Sequence, residues 1–171
     1  MRNLDEAKYP TAFAAKVWDL HVPTARLYVN EYLYITPSDR KALVSGATTL
    51  LTARRVMQGA IGAELASSFR TAALACEAAK EFTDFSEDER DPGELYGGRA
   101  LTALVAYPDG TGMVLRVNKA TDKTPLNDVF FPRGHVGARI STWPRATVLL
   151  LDFIVRRVHD ALDRFDRGKA E

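Results

Sequence analysis

Residues 99–118 confine the chain more tightly than any other segment. Two strand-like runs, Arg99 to Tyr107 and Thr111 to Asn118, flank Pro108-Asp109-Gly110. Proline presets φ for a turn, aspartate closes it with its carboxylate, and glycine accepts positive φ. This pattern predicts a β-hairpin. A hairpin belongs to an antiparallel sheet, and the segments around it read mostly as the helices that would cover one.

Pro10 to Leu20 reads as a short helix with Phe13, Val17 and Leu20 on one face, ended by Pro23. Arg26 to Ile35 reads as a strand, because Leu27, Val29, Leu33 and Ile35 alternate with Tyr28, Tyr32 and Tyr34. Ser38 or Asp39 caps a helix running to about Met57, which Gly59 and Gly62 break or bend. An Ala-rich helix from Ile61 to Phe82 follows, with Leu65, Phe69, Ala72, Cys76 and Ala79 spaced by three or four. Cys76 sits in that small-residue seam as inert packing. Glu81 to Glu94 is an acidic loop whose one cation is Arg90, and Asp128 to Phe131 adds a short edge strand. Trp143-Pro144 opens a terminal helix to about Phe165, with Val148, Leu151, Ile154, Val155, Val158 and Leu162 as its apolar face.

These segments predict an α+β fold: a helical layer of about four helices packed on a small antiparallel sheet that contains the β-hairpin. At 171 residues the chain has the size of one ordinary domain, so 1–171 is expected to be a single globular domain. A core of that size needs neither a disulfide nor a metal. The lone Cys76 has no second thiol to pair with, which fits a reducing, cytoplasmic setting. The N-terminal residues show no secretory pattern, and no apolar run approaches bilayer length. The net charge of +1 provides no global field toward nucleic acid or a membrane surface.

Three places in the sequence are candidate sites. In the loop Pro132 to Thr142, Arg133, His135 and Arg139 stand among Gly134 and Gly137, just before the expected start of the terminal helix. Arginine forks, glycine-freed N–H groups and a helix dipole would favour a phosphate or carboxylate there. The plainer account is a solvated loop paired with the acidic segment 81–94. The second candidate is an interaction surface built from Tyr28, Tyr32 and Tyr34, with Ile154 of the terminal helix. The third is Ala60-Ile61-Gly62-Ala63-Glu64-Leu65-Ala66-Ser67-Ser68-Phe69-Arg70-Thr71-Ala72. These thirteen residues resemble the helix-turn-helix of LuxR-type regulators, through Ile, a small residue, Leu and then Ser-x-x-Thr. Ser67 departs from the apolar residue usual in that turn. The resemblance implies that Ser68, Arg70 and Thr71 would face DNA, with the hairpin as a wing. Without it, the segment is a core helix.

Asp84-x-Ser86-x-Asp88 starts like a calcium loop but has Glu89 and Leu95 where glycine and glutamate are needed. The three histidines and Cys76 form no catalytic or metal-binding spacing, so no cofactor and no metal site is expected, and the reading leans away from an enzyme. The leading expectation is a non-catalytic protein-interaction or assembly protein that self-associates. The alternatives are a winged-helix-like DNA-binding regulator and a small enzyme or binder of an anionic ligand.

Overall fold

The computed structural model describes residues 3–33, 38–39, 48–86, 90–98, 100–117 and 145–168. Arg133, His135 and Arg139, Tyr34, the expected strand 128–131 and the Trp143-Pro144 helix start lie outside the described residues. Among those described, the fold is α+β, with five α-helices and two small antiparallel sheets.

The hairpin forms as expected. Strands β3 (Leu101–Ala106) and β4 (Gly112–Val117) pair antiparallel across Tyr107–Thr111. Gly110 takes φ 87°, and Asp109 Oδ1 accepts from the Thr111 N–H at 3.0 Å. A third strand, β5 (Thr147–Leu150), joins on the other side of β3, giving the order β4-β3-β5. The terminal helix therefore begins later than its periodicity suggests, as α5 (Leu151–Arg167). Val148 and Leu150 alternate with Thr147 and Leu149, and β3 offers them an open ladder, so pairing wins over helix extension. Asp152, in the first turn of α5, accepts from the Thr102 N–H at 2.7 Å and fastens the helix to the sheet.

The expected strand at 26–35 is a correction. Helix α1 (Thr11–Val17) is followed by α2 (Val22–Leu27), and a π-helical turn, Tyr28–Tyr32, continues it. Pro23 starts α2 instead of only ending α1, a position where its missing N–H costs nothing. A spacing of four satisfies both the strand period of two and the helical period of 3.6. Tyr28 and Tyr32 follow the helical alternative, their rings meeting edge to face at 5.3 Å.

Two more boundaries shift. Leu50–Leu51 forms a short strand, β2, paired with β1 (Tyr9–Pro10), and α3 begins only at Ala53. Thr52 caps it, accepting from the Arg55 N–H at 3.2 Å. Helix α3 (Ala53–Leu65) then runs straight through Gly59 and Gly62. A Cβ on Gly59 would fall 2.3 Å from the Trp18 ring, and one on Gly62 would fall 2.6 Å from Cys76 Sγ. Those glycines allow close packing and do not break the helix. The break comes at Ala66–Ser68, a single 3₁₀ turn, and Thr71 caps a separate helix, α4 (Ala72–Thr83). Consecutive serines compete for backbone hydrogen bonds, so the expected continuous helix from Ile61 to Phe82 divides there.

Helix α4 lies between α3, the π-helical turn and the hairpin. Its C-terminal end is held by three arginines. Buried Arg55 makes a two-pronged ion pair with Asp84 and donates to Gln58 Oε1 at 2.5 Å. Its Nε stands 3.7 Å from the carboxylate of buried Asp39, which accepts from the Thr52 N–H. Arg90 donates to the carbonyls of Phe82 and Phe85 at 2.9 and 3.0 Å. Arg54 donates to the carbonyls of Thr83 and Pro92 and pairs with Asp5. The acidic segment thus folds around Arg90, through backbone carbonyls at the negative end of α4.

Burial alone would raise the Asp84 carboxyl, but the Arg55 fork overrides it and holds the pKa below the usual 3.8. A depressed pKa adds stability above pH 3.8 that disappears as pH falls through the folded-state value. Asp84→Ala is expected to cost on the order of 3–5 kcal/mol in urea melts at pH 7, since it leaves Arg55 buried without its main partner. The gap between wild type and variant should narrow as pH falls below 3.8. A loss under about 1 kcal/mol, or a gap independent of pH, would contradict this role.

Burial pushes the Cys76 thiol up to about 12, with Glu77 adding to the effect. Labelling by a thiol reagent at pH 8 should be slower than in urea-unfolded chain by a hundredfold or more, on the order set by global opening. Equal rates would show that the α3–α4 seam is open.

Candidate interaction surface

The sheet has two faces, and its register assigns each residue to one. Leu104 stands opposite Val114 and Leu149, and this row faces the helices, where Leu104 and Val114 join the main core. Ala103 stands opposite Leu115 and Leu150, and Val105 opposite Met113 and Val148. Opposed residues share a face, so these two rows lie on the outer side. An antiparallel sheet usually turns a polar face outward, yet every side chain in both rows is apolar.

Coverage of that outer face is uneven. Val105, Tyr107 and Met113 form a second small buried cluster, in which the Tyr107 hydroxyl donates to Met113 Sδ at 3.6 Å. Toward β5 the surface opens: Val148 is 57% exposed and Leu150 40%. Phe153, in the first turn of α5, is 73% exposed. β5 pairs with β3 on one side and is an edge strand of the described sheet. It carries no charge and no proline, the usual protections of an edge. Three large apolar side chains within six residues, beside an unprotected edge, mark a surface able to pack against another chain.

The residues singled out from sequence fall elsewhere. Tyr28 is 4% exposed and lies beside Trp18, ring centroids 6.0 Å apart, and Tyr32 is half-buried. Burial raises the Tyr28 pKa, with smaller contributions from Cys76 and Tyr32. Ile154 is 6% exposed, inside the core with Val158 and Leu162. Neither Tyr28 nor Ile154 presents a surface to a partner, because the chain's own helices cover them. The exposed apolar residues are Val148, which reads in sequence as part of the terminal helix's apolar face, and Leu150 and Phe153, which read as widening it.

Ser68 and Arg70 are exposed on the turn between α3 and α4, and Thr71 caps α4. The break between two helices falls where the LuxR-type resemblance has its turn. Helix α4, however, buries Ala75, Cys76, Ala78, Ala79 and Phe82 within the chain, and Glu77 is exposed. Leu74 packs at the hairpin turn, where a Cβ on Gly110 would meet its Cδ2 at 3.0 Å. The wing therefore occupies one side of the helix that would have to enter a DNA groove.

Among the described residues, no group of three or more His, Cys, Asp or Glu side chains is placed to hold a metal ion, and no helix is long and apolar enough to cross a membrane. No protein-family model, curated protein sequence or solved structure matches the chain.

Proposed function

We propose that the chain is a non-catalytic assembly protein that pairs with a second copy of itself through β5 and the neighbouring Phe153. One observation carries this reading: the outer face of the described sheet continues, uncharged and apolar, to the edge strand β5, whose Val148 and Leu150 stand in solvent. A two-fold interface brings the same patch together from both copies. A charged patch repels its own copy, whereas an apolar edge is complementary to itself. Antiparallel pairing of β5 with its copy would extend the three strands to a six-stranded sheet. It would also place Val148 and Leu150 of one copy beside those of the other. Burial of each large side chain contributes roughly 1.5–3 kcal/mol.

Sedimentation or light scattering across a concentration series tests this. The wild type should pass from the monomer mass of 18.9 kDa to twice that value. Phe153→Ser should weaken association about 30-fold, equivalent to about 2 kcal/mol, with little change in melting temperature of the dilute protein. A wild type that stays monomeric to high concentration would overturn the proposal.

A further inference from the structure

A cleft of about 520 Å³ lies between α1 and the second half of α5. Its apolar lining includes Phe13, Val17 and Phe165, with the Phe13 and Phe165 rings tilted against each other at 4.5 Å. Its rim is cationic: Lys16 from the last turn of α1, and Arg157 and Arg164 from α5. Arg157 and Arg164 are seven residues apart, two helical turns, and so share one face. All three side chains are exposed.

Two of the neighbouring acids are engaged. Glu64 of α3 pairs with Arg157 at 2.8 Å. Asp166, beside Phe165, pairs with Lys8 Nζ at 3.3 Å and accepts from the Tyr9 hydroxyl at 3.2 Å. Among the described residues, no carboxylate lies within ion-pair distance of Lys16 or Arg164. The cleft therefore combines an apolar floor with two cations, Lys16 and Arg164, that make no ion pair among the described residues. Its volume is within the range of small-molecule sites.

From this juxtaposition we infer that the cleft binds a small organic anion with an apolar tail, a free medium-chain or aryl carboxylate. The tail lies against Phe13, Val17 and Phe165, and the carboxylate meets Arg164 and Lys16. Arginine offers the carboxylate a fork of two parallel N–H donors, and lysine adds a point charge. The site is separate from the self-association surface and does not depend on it. Its lining includes none of Arg133, His135 and Arg139, the residues of the anion site expected from sequence.

Isothermal titration of the full chain with decanoate, kept below its micelle-forming concentration, is the test. Three controls accompany it: decyltrimethylammonium, inorganic phosphate and vesicles of anionic phospholipid. Decanoate should bind saturably with one site per chain, and both decyltrimethylammonium and phosphate should bind at least tenfold more weakly. The Lys16→Gln, Arg164→Gln double variant, altered only at exposed positions, should keep its melting temperature and lose at least tenfold in decanoate affinity. Phe153→Ser should bind decanoate as the wild type does. Equal binding of decanoate and decyltrimethylammonium would reduce the cleft to an apolar surface and overturn the proposal. Equal binding of phosphate would leave only an ion site, and preferential binding to vesicles would make it a membrane contact. Unchanged affinity in the double variant would also overturn it, leaving the two cations as compensation for helix C-terminal dipoles.

Discussion

Strand β3 is apolar or small nearly throughout and is covered on both of its faces. Its inner residues, Leu104 and Ala106, join the helical core, while Val105 and Tyr107 pack with Met113 on the other side. Helices α4 and α5 fit against the inner face, and β4 and β5 exist as strands because β3 supplies their ladder. The same strand gives the outer rows an apolar character that continues onto β5. Antiparallel sheets in water usually carry polar residues at alternate positions. Here the outer rows are apolar instead: Ala103, Val105 and Met113 are buried, and the rows end at exposed Val148 and Leu150. The arrangement of the inner layer and the opportunity at the outer one come from a single sequence property.

The helical layer has a second constraint, at the C-terminal end of α4. The free carbonyls of that end, the half-buried Asp84 and the buried Asp39 would each be costly alone. Arg54, Arg55 and Arg90 reach them from two different segments, so α3, α4 and the 90–98 segment are fixed together. Gly59 and Gly62 make the complementary contribution on the other side of α3, admitting the Trp18 ring and Cys76 at distances no Cβ would permit. Trp18 is fixed in turn by its indole N–H, which donates to the Val56 carbonyl at 2.7 Å.

The fold class and the hairpin were legible because their signals are local. Pro108-Asp109-Gly110 has one good solution, and Asp109 and Gly110 adopt it. The strand expected around Tyr28 failed because a spacing of four fits either period, and the choice depended on packing against Trp18 and against α4, which is distant in sequence. Thr147–Leu150 failed the other way. Its residues continue a helical stripe well, and only the open ladder of β3 makes them a strand. Ser67, Ser68 and Thr71 did contain the break between α3 and α4, but the Ala-rich periodicity on both sides concealed it. The site was less legible than the fold. A pattern of apolar residues shows which side chains could be buried, whereas Phe153 and Ile154 differ in exposure only because of where the sheet lies. Tyr28 and Ile154, expected at an interface, are buried, whereas Val148, Leu150 and Phe153 are exposed. Arg55 and Arg90 gave no sequence sign of burial at all.

The most direct measurement is hydrogen exchange of the β5 amides, residues 147–150, as a function of protein concentration. In an antiparallel edge strand alternate N–H groups point away from the sheet. If the edge is where two copies meet, those outward amides should exchange quickly in dilute protein and slow at least tenfold as concentration rises, while the amides of β3 remain unchanged. Exchange at 147–150 that is equally fast, or equally slow, at every concentration would contradict the account.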